Sequence, residues 1–143
     1  MADLIIVDGD TVNFIGAFTP AVVTVQPGKI SSSAATTEVG TKGPCLEGDE
    51  KSVEVSGCPY QTPVFTIPGV GTLKIKKLNS DQLTQTTQIE GKKVILKGTT
   101  FDAEFKVDTK ASVVVGTATK MDDTPTYSGK GTLVASNQVV FAA

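Results

Sequence analysis

The sequence predicts an all-β fold of short strands and tight turns, built as one domain over residues 1–143. Valine occurs eighteen times and threonine twenty times, and both are β-branched residues that suit a pleated, half-buried surface better than a helix. Short apolar runs bounded by glycine or proline recur along the whole chain. At most one short helical turn is expected. A chain of 143 residues is long enough to bury a core of its own.

The N-terminal half is predicted to contain six strands separated by turns. Pro27-Gly28, residues 40–44 and Pro68-Gly69 interrupt it, because proline lacks a backbone donor and glycine supplies the positive φ of tight turns. Both cysteines and four of the seven prolines fall in residues 43–75, so that stretch cannot be helical. The predicted strands are residues 4–7, 12–15, 21–25, 53–55, 64–67 and 72–75.

In the C-terminal half, only residues 80–85 have the composition to start a helix, with Ser80 as its cap. Residues 101–107 alternate apolar and charged side chains and predict the clearest half-exposed strand. Its buried face is expected to carry Phe101, Ala103, Phe105 and Val107. The other predicted strands are residues 94–96, 112–115, 132–135 and 138–141. Gly69-Val70-Gly71 and Gly129-Lys130-Gly131 resemble each other, and each is interpreted as a turn that leads into a strand.

Two runs are apolar without alternation, and they are the candidate docking residues of the chain. Such runs are either covered on both faces or partly exposed for contact with a partner. The residues are Val113, Val114, Val115, Val139, Val140 and Phe141.

The absent residue types argue against an enzyme. The chain has no histidine, tryptophan or arginine, so the usual proton shuttle, the imidazole metal ligand and the bidentate phosphate clamp are all missing. A formal charge of −2 argues against nucleic-acid binding, which needs a basic face. Lys74 and Lys76 are expected on a solvated sheet face while Ile75 points inward. No catalytic residue and no cofactor is predicted.

Cys45 and Cys58 lie thirteen residues apart, too far for a redox pair with two intervening residues. Three interpretations stay open: buried free thiols, a disulfide, or metal ligands. A tetrahedral metal site would need two further soft ligands, and the chain has neither histidine nor a third cysteine to supply them. The pair is therefore a candidate disulfide or packing element, and no metal site is predicted.

The apolar stretch at residues 4–7 is too short for a signal peptide or a membrane span. We expect the protein to be made in the bacterial cytoplasm and to leave it only as part of a larger assembly.

A set of short segments spread over roughly residues 9–137 carries a resemblance to a known family. The segments are Gly9-Asp10-Thr11, residues 23–30, Ala34-Ala35, residues 45–50, Gly57-Cys58-Pro59-Tyr60, residues 67–75 and residues 127–137. Together they resemble the PAAR and PAAR-like spike-tip proteins of contractile injection systems. Residues 67–75 and 127–137 are similar to the PAAR-like subgroup found in extracellular phage-tail-like particles.

The resemblance implies a small β-rich cone that caps a trimeric, VgrG-like β-helical spike, one monomer per trimer. It also implies transient contact with a target membrane, possible linkage to effector cargo, and assembly at the tip of a particle that is released from the cell. Typical members hold an apex metal with histidines and a cysteine; because this chain lacks histidine, the resemblance transfers no metal site to it. The alternative function is a non-catalytic β-sandwich that binds glycan or peptide, although the lack of tryptophan weakens sugar stacking.

Overall fold

A computed structural model describes residues 3–137 and 140–143 and confirms the all-β class. The described strands are β1 (Asp3–Leu4), β2 (Thr11–Phe14), β3 (Ala17–Phe18), β4 (Ala21–Val23), β5 (Gly28–Lys29), β6 (Glu54–Gln61), β7 (Gly69–Lys77), β8 (Leu83–Ile89), β9 (Lys92–Ile95), β10 (Phe101–Thr109), β11 (Ser112–Val115), β12 (Ala118–Met121), β13 (Thr126–Val134) and β14 (Phe141–Ala142). Short 3₁₀ turns occupy Asp49–Ser52 and Ser80–Gln82.

Eight strands form one antiparallel sheet in the order β3-β4-β6-β7-β10-β13-β2-β5. The predicted inward face of β10 is confirmed for Phe101, Ala103 and Phe105, all fully buried, while Val107 is half-buried against the same core. The sheet packs its inward side chains into this main core. A second, smaller core contains Ile5, Val7, Leu46, Val94, Leu96 and Ala142.

One predicted strand was wrong, and the short helical turn expected near residue 80 is present but has a different first residue. Residues 64–67 form no strand, because the Thr62 hydroxyl accepts hydrogen bonds from the backbone N–H groups of Val64 and Phe65 and folds this stretch into a loop. The short turn expected to start in residues 80–85 is confirmed as a 3₁₀ turn at Ser80–Gln82, and it is flanked by Asn79 rather than capped by Ser80. The Asn79 N–H donates to Gln82 Oε1 at 3.1 Å, and the chain then extends as β8.

The glycine pairs interpreted as turns lie instead within the long strands β7 and β13, which flank β10. Their missing side chains make room for aromatic rings. A Cβ at Gly71 would lie 2.6 Å from Phe105 Cε2, and one at Gly129 would lie 2.6 Å from Phe18 Cε2. Such distances are far inside ordinary van der Waals contact. These glycines therefore shape the core and do not turn the chain.

The outer face of the sheet carries the basic cluster, as expected. Lys76 is exposed and Ile75 is buried beside it. On neighbouring strands, Asp102 lies opposite both Lys77 and Lys130, and Lys130 Nζ lies 2.9 Å from Asp102 Oδ1. The hydrogen bond from Lys130 and its charge lower the pKa of the Asp102 carboxyl. The sheet surface is thus a solvated face of alternating charge.

The long central strands give the molecule two ends. β10 starts at Phe101, close to β1, because the Gly98 N–H donates to Asp3 Oδ2 at 2.8 Å. Its nine residues extend for about 30 Å to Thr109, beyond which β11 and β12 follow. β7 and β13 run antiparallel to β10, so their first residues lie at the β11–β12 end. We call this the hairpin end, and we call the opposite end, with β1, β14 and the second core, the terminal end.

Candidate docking surface

β11 and β12 form a hairpin that extends from the hairpin end of the sheet. They pair in continuous register from Ser112 opposite Met121 to Val115 opposite Ala118. Gly116 has a φ of 65° at the first central position of the two-residue turn, a place suited to glycine in type II′ turns. Every residue from Val114 to Met121 is exposed. Sequence reasoning missed β12, although a four-residue strand followed by a two-residue turn with glycine is a hairpin signal.

One edge of the hairpin is attached to the body through Ile67. The Ile67 N–H donates to the Ser112 carbonyl at 2.9 Å, and the Ser112 N–H donates to the Ile67 carbonyl at 3.0 Å. Met121 lies opposite Ser112 on the other side. Because directly opposite residues share a sheet face, the side chains of Ile67, Ser112 and Met121 lie on one face, together with Val114.

Apolar side chains are concentrated at this end. Val114 is 57% exposed, Val115 54%, Met121 53% and Val64 63%. Among residues 3–137 and 140–143, seven of the eleven exposed large apolar side chains lie at the hairpin end; the seven are Val22, Val64, Ile67, Val70, Val114, Val115 and Met121. Clustered exposed apolar side chains are a feature of interaction surfaces, so the hairpin end is the candidate docking surface.

A buried carboxylate holds the base of the hairpin. Asp122, which follows β12, is 2% exposed, and its Oδ2 accepts hydrogen bonds from the Tyr60 hydroxyl at 2.8 Å and the Tyr127 hydroxyl at 2.6 Å. The Tyr60 oxygen in turn accepts from the N–H of Ala111, the residue before β11, at 2.9 Å. The Asp122 N–H also donates to the Ala111 carbonyl at 2.9 Å. Both ends of the hairpin are thereby tied to the main core.

The protonation of this network follows from its hydrogen bonds. Burial alone would raise the pKa of Asp122, but the hydrogen bonds from Tyr127, Thr124 and Tyr60 together lower it. Burial raises the pKa of Tyr60 to about 12, with the neighbouring Asp122 adding to the shift. At neutral pH the carboxylate is therefore charged and the phenols keep their protons, so Asp122 acts as the acceptor of the cluster.

The structure does not bring the two predicted docking runs together. Val113, Val114 and Val115 are in the hairpin, with Val113 half-buried. Val140 and Phe141 lie at the terminal end, where Phe141 pairs with Leu4 and is 55% exposed. Val139 lies outside the described residues. The described residues of the two runs therefore lie at opposite ends of the sheet.

Cys45 and Cys58 are both buried and both free thiols in this structure. Cys45 lies between neighbouring segments, since its N–H donates to the Ile6 carbonyl and its carbonyl accepts from the Ile95 N–H. The Cys58 thiol donates to the Val55 carbonyl at 3.7 Å. Burial raises the pKa of both thiols, and the charges of Asp49, Asp10 and Asp8 raise that of Cys45 further. Both thiols are packing groups here, protected from solvent and from ionisation.

We expect neither cysteine of the native protein to react with N-ethylmaleimide at pH 7.5, because the reactive thiolate is suppressed and neither side chain is exposed. After denaturation without reductant, mass spectrometry should show two added labels per chain. A denatured, unreduced chain that takes up no label would instead establish a disulfide.

Neither a metal cluster nor a membrane helix is found within the described part of the chain. No three cysteine, aspartate or glutamate side chains among these residues are grouped so that they could hold a metal ion. The helical turns that the structure describes are too short to cross a membrane.

The comparisons with known proteins give one family. The chain matches, over residues 1–143, the family described as contractile injection system spike tip protein. No curated protein matches the chain.

Proposed function

The chain belongs to the family of contractile injection system spike tip proteins, and from that premise we propose that it caps a trimeric β-helical spike, one monomer per trimer. In this proposal the protein is a structural, non-catalytic part that transmits axial force to a target membrane. A long antiparallel sheet with aromatic rings packed on glycines is suited to that task, because close-packed interiors are hardly compressible.

The hairpin end supports a docking role more than any other surface of the described chain. Val114 and Val115 are exposed there, beside Ile67 and Met121, and Val113 is half-buried in the same hairpin. The buried centre of an interface is more apolar than the rest of the protein surface, and methionine is enriched there. We propose that the hairpin end contacts the spike. In this orientation the terminal end, which carries Val140 and Phe141, points towards the target membrane.

The test is to mix the protein with its spike trimer and to weigh the complex by native mass spectrometry. We expect one copy per trimer for the wild type. Val114→Lys should weaken the complex at least tenfold, because it introduces a charge into an apolar contact. Val134→Lys is the matched control, since Val134 is also an exposed strand valine, 42% exposed, but lies at the terminal end of β13.

Absence of any complex would contradict the proposed function, as would three copies per trimer. If the two lysine variants weaken the complex equally, the protein still caps the spike, but the hairpin end is not the surface that contacts it.

A further inference from the structure

The backbone of β12 presents a regular, uncovered edge. The N–H and C=O groups of Ser112 both bond to Ile67, so they point away from β12. In an antiparallel pair these directions alternate from residue to residue. The N–H and C=O groups of Val113 therefore point at β12, and those of its partner Lys120 point at β11. Thr119 and Met121, on either side of Lys120, must therefore direct their N–H and C=O groups outward.

Nothing within the described chain pairs with that outer edge. β12 is hydrogen-bonded to β11 alone, in a two-stranded sheet. The edge has neither a bulge nor a proline, two of the features by which proteins block edge pairing. A two-stranded hairpin is marginal in water and gains stability from a third strand. The outer edge offers two donors and two acceptors to such a strand.

The side chains define what kind of strand would fit. Thr119 and Met121 lie on the face that also carries Val114 and Ile67, so a strand added here would extend an apolar face. Lys120 projects from the opposite face, is exposed, and forms no salt bridge within the described residues. The matching strand would thus place apolar residues beside Met121 and an acidic residue beside Lys120.

We propose that an extended strand of the spike protein adds to the outer edge of β12, through the backbone groups of Thr119 and Met121. This inference rests on the proposed function, because it takes the spike as the source of the strand. Because the hairpin end of the described chain offers a single β12 edge, only one of the three spike chains is bound in this way. The complex is therefore asymmetric at the hairpin although the spike itself is threefold.

Thr119→Pro tests the edge directly, because proline removes the outward N–H and leaves the pairing of β12 with β11 intact. Thr119→Ala is the matched control, which removes the side chain but keeps the N–H. We expect Thr119→Pro to weaken binding to the spike trimer about tenfold relative to Thr119→Ala, the effect of one lost backbone hydrogen bond and its unpaired acceptor. Equal affinities of the two variants would overturn the edge pairing.

Amide hydrogen exchange of the wild type gives a second measurement that does not depend on how Thr119→Pro folds. The Thr119 and Met121 amides should exchange fast in the free protein and slowly in the complex, and unchanged exchange at both would also overturn the inference. A further outcome is that the wild type binds and Val114→Lys weakens that binding, while Thr119→Pro has no effect and the two amides are not protected. In that case the docking surface stands without strand addition. If the wild type does not bind the spike at all, the proposed function itself has failed.

Discussion

Replacing Gly71 by alanine should destabilise the protein by about 3 kcal/mol, the upper range for overpacking a core. The new Cβ would lie 2.6 Å from Phe105 Cε2 and even closer to the Phe105 Cζ atom and the Lys106 carbonyl oxygen. The ring can shift only into a filled core, since Phe105 already contacts Phe18 and Tyr60, with centroid distances of 6.0 and 5.2 Å. Chemical denaturation at neutral pH measures the loss.

Gly57→Ala is the control for the backbone effect of removing a glycine. Gly57 has a φ of 72° with no atom within 4 Å of an added Cβ, so alanine there meets conformational strain but no clash. We expect that variant to lose about 1 kcal/mol. Equal losses for the two variants would show that the close approach of β7 to the Phe105 ring does not limit stability.

Asp122→Ala should cost about 3 kcal/mol, because it removes the common acceptor of two buried hydroxyls and one part-buried N–H. Three groups would lose their hydrogen-bond acceptor: the Tyr60 hydroxyl, the Tyr127 hydroxyl and the Thr124 N–H. The Thr124 N–H lies 3.0 Å from Asp122 Oδ1. The exposed neighbour Asp123 provides the control, since Asp123→Ala should change the free energy of unfolding by less than about 0.5 kcal/mol.

The pH dependence separates this carboxylate from a simple packing effect. The pKa of Asp122 is lowered in the folded protein, so its stabilisation is present above the ordinary carboxyl pKa and is lost as the pH falls through the lower folded value. The wild type should therefore lose more stability than Asp122→Ala when the pH is taken below about 4. Parallel acid profiles for the two proteins would contradict the role assigned to the carboxylate.

Local patterns in the sequence were enough to find β10 of the core and β11 of the candidate site, but they missed β12. Alternation in residues 101–107 predicted the buried face of β10, and the run at residues 112–115 matches β11. The same local patterns failed where a neighbour decides the outcome. The glycine-rich segments at the start of β7 and in β13 have a composition typical of turns. They lie inside strands because glycine makes room for the rings packed against them, Phe105 at Gly71 and Phe18 at Gly129.

The candidate docking residues show the same division. Two apolar runs were identified because their side chains do not alternate with polar ones, but no local pattern shows that they lie far apart in the fold. The pairing of β14 with β1 places Phe141 at one end of the sheet, and β11 leaves β10 at the other. Met121 and Ile67, which complete the apolar surface around Val114, were not predicted, because each joins it only through cross-strand pairing with Ser112.

By itself, then, the sequence determined that this protein is all-β, that it has the residues of a spike-tip protein, and where several of its strands lie. These properties depend on side-chain alternation, β-branching and turn chemistry, which act over a few neighbouring residues. The tertiary structure alone decided which apolar residues remain exposed, where they meet, and which strand edge is left open. Those outcomes depend on strand order and register, which are set by contacts between residues far apart in the chain.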